Sequence, residues 1–186
     1  MMMQHRNHVL DTVTLLINSC PPASSTEELG NLDVVREFIT ARTITEVADL
    51  TPDDVEHLHL VRSQFRSIFT APDENAKTVL VNELLASAKI TPRLVEHDHL
   101  GIHFHYFPPL VSLAEHLFAD GTMAIAFLIN SGEVSRLRVC TGQDCARVFV
   151  DSSKNRSRTY CDSKTCGARL HAAAYRQRQR QKNKAR

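Results

Sequence analysis

Three things are missing from this sequence of 186 residues, and each absence excludes a class of protein. It lacks net charge: 22 Lys and Arg stand against 21 Asp and Glu, a formal +1 at pH 7, which taken alone argues against a polyanionic partner. It lacks any apolar run approaching the ~18 residues of a membrane-spanning helix, so no membrane span is expected. It lacks a recognisable export signal, because the apolar stretch over residues 9–17 is interrupted by Asp11 and has no small-residue cleavage pattern. No internal repeat is present, and no low-complexity tract precedes the C-terminal tail. With 42% apolar and 23% charged residues, disorder throughout is excluded, and one globular domain plus a smaller module is expected.

The near-zero charge is a cancellation. From Arg136 onward 14 basic residues face only Asp144, Asp151 and Asp162, giving +11, whereas residues 1–135 hold 8 basic and 18 acidic residues, giving −10. The chain therefore divides into an acidic part, 1–135, and a basic part, 136–186. The cysteines divide the same way: Cys20 is alone in the acidic part, and Cys140, Cys145, Cys161 and Cys166 lie in the basic one. Without an export signal the expected compartment is a reducing cytoplasm, where such cysteines bind metal rather than form disulfides.

The acidic part reads as mostly helical. Val9, Leu10, Val13, Leu16 and Ile17 form one apolar stripe; a second helix starts near Thr51, with Thr51 as cap and Val55, Leu58, Val61, Phe65, Ile68 and Phe69 as its buried face. A third is expected over about residues 73–88, presenting Ala76, Val79, Leu80 and Leu84 between Pro72 and Pro92. Past Pro92, "LVEHDHLGIHFHYF" alternates every second residue and reads as half of a hairpin turning near Asp98. Helical spacing returns over residues 110–118 and 122–130, separated by Asp120-Gly121. The fold class is α+β: a mostly helical N-terminal domain with a small hairpin, then a small four-cysteine finger with a basic C-terminal helix.

Nine of the ten histidines lie in the acidic part, and His97, His99, His103 and His105 crowd the hairpin. His99, His103 and His105 share one face of a strand. Such a face suits either a solvated or ligand-lined polar surface opposite Leu100, Ile102, Phe104 and Tyr106, or a transition-metal site. No carboxylate, serine or cysteine stands at a catalytic spacing from these imidazoles, so an enzyme is not expected.

In the basic part the spacing C-x4-C-x15-C-x4-C brings two thiolate pairs together as a structural Zn2+ site requires, with all four coordination positions taken by sulfur. A module this small gains much of its folding free energy from the metal, so zinc removal is expected to melt residues 136–186 and spare the helical body. Between the pairs, Arg147, Lys154, Asn155, Arg156 and Arg158 are interleaved with Ser and Thr, the mixture that contacts phosphate oxygens. After Cys166 the segment "GARLHAAAYRQRQRQKNKAR" is rich in helix formers and carries Arg169, Arg176, Arg178 and Arg180; His171 is expected at the surface or beside the zinc ligands. Double-stranded DNA is the expected partner.

The combination of Cys140, Cys145, Phe149, Asp151, "SKNRSR" over residues 153–158, Cys161 and "CGAR" over residues 166–169 resembles bacterial proteins with an N-terminal ABATE domain and a C-terminal CGNR zinc finger, described as candidate stress-induced transcription regulators. Looser similarity covers "LDTV" near Leu10, "VNELLASAKITPRL" over residues 81–94 and "RLRVC" before the finger. Two positions depart from the family pattern: Ala168 stands where the finger motif has Asn, and Thr14 where an N-terminal Asn is usual. The resemblance implies a ligand- or stress-sensing domain joined to a DNA-binding zinc finger; a homodimer is expected separately, because bacterial regulators often use two-fold sites. An RNA- or ribosome-associated zinc protein, or a zinc-dependent interaction or redox-sensing module, are the alternatives. Protonation of the histidine-rich body in mild acid is expected to weaken any masking of the basic finger.

Overall fold

The computed structural model describes residues 2–22, 26–96, 101–168, 172, 175 and 176. Among these residues five α-helices and two small antiparallel hairpins follow in the order α1 (Met2–Asn18), α2 (Leu32–Ala41), α3 (Asp53–Thr70), α4 (Glu74–Ser87), β1 (Arg93–Glu96), β2 (Ile102–His105), α5 (Leu113–Asn130), β3 (Leu137–Val139) and β4 (Val148–Val150). The α+β expectation holds. Among the described residues no helix is long and apolar enough to cross a membrane.

Helix α5 is the central element and packs against α1, α3 and α4. A capping box opens it: Glu115 N–H donates to Ser112 Oγ, and Glu115 Oε2 accepts from the Ser112 amide. The expected break at Asp120-Gly121 does not occur; the helix runs straight through. Gly121 is there because α5 meets its neighbours with no room for a side chain: a Cβ would lie 2.6 Å from Phe65 Cζ and 2.9 Å from Val13 Cγ2. Close approach outweighs the ~1 kcal/mol helix penalty of glycine.

The stripe Leu10, Val13, Leu16 and Ile17 of α1 and the face Leu58, Val61, Phe65, Ile68 and Phe69 of α3 form the core. Thr51 plays the reverse of the expected capping role, since its amide and hydroxyl both donate to Asp54 Oδ2, at 2.7 and 2.9 Å. On α4 the inward face is Lys77, Val81 and Leu84, and Val79 points to solvent. Burial lowers the Lys77 pKa, and its ammonium caps the carbonyls of Phe69 and Leu137 at 3.1 and 3.3 Å. Helix α2, absent from the sequence reading, is capped by Asn31, whose side chain accepts from the amides of Asp33 and Val34.

The charge division at Arg136 is not a break in packing. Leu137 and Val148, from the two strands of the second hairpin, belong to the same apolar core as α1 and α3. Asn18, at the end of α1, treats β4 as a sheet partner: its Nδ2 donates to the Val148 carbonyl and its Oδ1 accepts from the Val148 amide, both at 2.8 Å. Arg66 bridges the same junction, donating to Ile17 O at 2.7 Å and Ala146 O at 3.1 Å. The cation thereby satisfies a C-terminal carbonyl of α1 that the helix cannot.

Candidate metal centre and nucleic-acid interface

The second hairpin delivers the first cysteine pair. Cys140 follows β3 and donates its amide to Arg147 O at 2.8 Å, so residues 140–147 close into a loop with Cys145 held by a 3.1 Å bond from its amide to Gly142 O. The second pair lies on a segment tied to the first by Thr141 N–H to Thr159 O at 3.0 Å. A single π turn over Ser163–Gly167 then presents Cys166, stabilised by Asp162, which accepts from the Lys164 amide at 2.8 Å.

All five cysteines are free thiols, and the four Sγ atoms of Cys140, Cys145, Cys161 and Cys166 lie within 4.8 Å of one another. Sulfurs ~2.3 Å from a central ion at tetrahedral angles stand about 3.8 Å apart; Cys145–Cys161 and Cys161–Cys166 are each at 3.8 Å. The donor set therefore fits a tetrahedral divalent metal. Its electrostatics agree. Burial opposes ionisation of Cys140, but the amides of Cys161 and Gly142, 3.3 and 3.4 Å from its sulfur, outweigh that and lower its pKa. Burial and the neighbouring thiols push Cys161 and Cys166 up. The Cys140 thiolate is thus prepared by backbone amides, whereas Cys161 and Cys166 need a cation's charge. Gly142 allows a close approach here: a Cβ would meet Cys166 Cβ and Sγ at 3.2 Å and Cys140 Sγ at 3.3 Å, so the thiolates would have to give way by a few tenths of an ångström.

Asp151 organises the loop between the cysteine pairs. It is fully buried, and its carboxylate accepts from the amides of Ser153 (2.8 Å) and Arg158 (2.9 Å). Burial alone would raise its pKa, yet these bonds and the nearby Arg138 hold it below the usual range. Arg136 continues the scaffold by donating to the carbonyls of Asp151 and Ser153 at 2.7 and 2.9 Å.

The basic residues singled out in the sequence take different positions. Arg147, Lys154, Asn155 and Arg156 are exposed on the finger, as is Arg176 on the helical turn beyond it. Arg156, with φ of 51°, turns its guanidinium back to Gly132 O at 3.3 Å and Glu133 at 3.6 Å. Arg158 faces inward, stacked over Phe149 with its Cζ 5.0 Å from the ring centroid, and donates to the carbonyls of Tyr160 and Cys161. It braces the second knuckle. Arg169, Arg178, Arg180 and His171 lie outside the described residues, as do His97 and His99. Ala168, at the family's Asn position, is helical and exposed. Thr14 directs its hydroxyl to Asp11 O.

The first hairpin inverts the expected polarity. Register pairs Leu94 with Phe104 and Val95 with His103, and it is Leu94 (64% exposed), Ile102 (58%) and Phe104 (40%) that face outward. His103 and His105 point into the body and are buried. The reason is what they meet there: His5 and His8 from α1, Arg42, and His116 and Asp120 from α5 line one cavity of about 60 Å³ with them. These partners come from distant segments, so nothing in local periodicity marked them. Burial pushes Asp120 up to about 7, against the amide of Tyr106, which donates to its Oδ1 at 3.1 Å, and the charge of Arg93. A larger, mainly apolar cavity of about 490 Å³ adjoins it between α1, the hairpin and α5, lined by Leu94, Ile102, Phe104, Tyr106, Ala124 and Phe127 among others.

Comparison with protein families gives two adjacent matches. The model described as "Putative stress-induced transcription regulator", ABATE, covers residues 10–131. The CGNR zinc finger model covers residues 136–179 and includes all four clustered cysteines. A comparison with curated proteins returned no match. Since the first model spans 122 of the 186 residues, the chain belongs to the ABATE family of putative stress-induced transcription regulators, with a CGNR zinc finger following the ABATE region.

Proposed function

We propose that this protein is a DNA-binding transcription regulator in which Zn2+, held by Cys140, Cys145, Cys161 and Cys166, fixes a basic finger while the helical body senses a ligand or stress signal. The observation that carries the reading is the combination of a closed four-thiolate set with a rim of outward cations, Arg147 and Lys154, in a segment of charge +11. Four sulfurs leave no coordination site for water or substrate, so in this reading the metal is structural and shapes a binding surface. Phosphate contacts from the rim position the finger on duplex DNA, and the basic segment beyond Cys166 adds non-specific affinity.

The sensing half of the reading draws on the cavity of about 490 Å³, whose size and apolar lining suit a small amphipathic effector. Helix α1 contributes His5 and Val9 to that cavity and holds the finger's hairpin through Asn18. A shift of α1 on effector binding would therefore reach β4 directly. Genomic binding-site mapping of the wild type beside Cys166→Ala tests the function: discrete sites lost in the variant are expected. Enrichment on RNA or ribosomes instead would favour the RNA-associated alternative and overturn this one.

A further inference from the structure

The buried imidazoles of the first hairpin are not used by the finger. We propose that His103 and His105 are ligands of a second metal site, for a divalent first-row transition ion, inside the helical body. The geometry is that of a prepared chelate. His103 and His105 are alternate residues of β2, so both side chains emerge on one face, and their Nε2 atoms converge to 3.1 Å. The other ring nitrogen of each faces a group that only accepts. His103 Nδ1 is 2.7 Å from Gly101 O, and His105 Nδ1 is 2.9 Å from the Glu46 carboxylate.

Those acceptors place a proton on each Nδ1 and turn both Nε2 atoms toward one point between the rings. A cation between them, a shared proton or a metal ion, accounts for the 3.1 Å approach, and a metal ion is the proposal here. Nitrogens 3.1 Å apart subtend about 100° at an ion ~2.05 Å from each, close to both tetrahedral and octahedral angles. A carboxylate or carbonyl behind each imidazole is the arrangement that orients metal-binding histidines and raises their basicity. Glu46 is held for that task in a left-handed conformation (φ 60°) that a glutamate adopts at a cost, and is braced by an ion pair with Arg93.

The surroundings suit an ion and its remaining ligands rather than an organic molecule. The cavity, about 60 Å³, holds an ion with one or two waters. Its walls carry His5, whose ring centroid is 4.4 Å from that of His103, and the buried carboxylate of Asp120. Imidazole ligands select zinc, copper, iron or nickel over calcium or magnesium. This site is separate from the four cysteines and stands or falls independently of DNA binding.

The test uses full-length protein with zinc already bound at the cysteines, titrated with Co2+ or Ni2+. One further equivalent per chain is expected, with ligand-field absorption lacking thiolate charge-transfer bands. His103→Gln and His105→Gln should each abolish it, and Glu46→Gln should weaken it by about 10- to 100-fold, with the cysteine-bound zinc retained. Should a histidine variant fail to fold, 15N NMR of the wild type carries the test: the ion should shift the Nε2 signals of two histidines whose Nδ1 stay protonated. Absence of a second equivalent, its persistence in both histidine variants, or a proton shared between the Nε2 atoms that excess metal fails to displace would each overturn the proposal.

Discussion

Replacing Asn18 with alanine tests how the helical body holds the finger. Asn18 makes two hydrogen bonds of 2.8 Å to Val148, one in each direction, at a partly buried junction. Each contributes about 1 kcal/mol net, and truncation also strands the Val148 amide and carbonyl, at about 1–3 kcal/mol apiece if fully buried. Water reaches part of this junction and alanine is the better helix former at the end of α1, so a loss of about 2–4 kcal/mol is expected in Asn18→Ala. Asn18→Asp keeps an acceptor for the Val148 amide but sets an anion against its carbonyl, and should lose at least as much. Urea unfolding of the zinc-loaded protein measures the loss, and hydrogen exchange locates it. Protection should fall first at the Val148 and Cys140 amides, while α3 and α5 keep theirs. A loss below about 0.5 kcal/mol, or exchange unchanged in β3–β4, would refute the staple.

Three further outcomes follow from other parts of the molecule. Gly142→Ala places a methyl against Cys140 and Cys166, and zinc affinity measured by competition with a chelator should fall about 10- to 100-fold; unchanged affinity would mean the knuckle has room that the geometry denies. Asp120 is raised to about 7 in the folded protein, so folding takes up a proton between about pH 4 and 7 and stability falls as pH rises through that window. Asp120→Asn should therefore stabilise protein carrying zinc only at the cysteines, by up to about 4 kcal/mol at pH 8 and less than half that at pH 5; equal gains at both pH values would contradict the assignment. Chelation of the cysteine-bound zinc should release protection over residues 140–146 and 159–168 but leave Leu137 and Val148 protected. Loss of the whole segment from residue 136 would show that the body does not hold the hairpin.

The finger was the most legible part of the sequence, because its chemistry is local. Four cysteines at fixed spacing must meet wherever the hairpin lies, and the Asp151 loop sits between them. The core faces of α1 and α3 were legible from periodicity for the same reason. What sequence reading missed depends on distant packing. Gly121 reads as a break until Phe65 and Val13 are placed against it. The strand pattern puts His103 and His105 on a polar face, solvated, ligand-lined or metal-binding, but not in the interior, because an alternating strand normally buries its apolar side. That pattern is inverted by partners from α1, Arg42 and α5, which supply polar company inside and leave Leu94, Ile102 and Phe104 outside. Likewise the basic segment began at Arg136 by charge, yet Leu137 and Val148 are core residues of the acidic body. Charge marks the side chains that face solvent and says little about where the backbone packs.

The central claim is that the cysteine-held finger binds duplex DNA through its outward cations. Fluorescence anisotropy of a labelled DNA duplex across salt concentrations, with the zinc-loaded protein and with Cys166→Ala, tests it most directly. If about six cations neutralise phosphates, log affinity should fall with log salt at a slope of roughly −5. The slope should shrink by about one unit in Lys154→Ala and stay unchanged in Arg158→Lys, since Arg158 faces inward. Affinity that ignores salt, or that survives unchanged when the cysteine site is broken, would contradict the account.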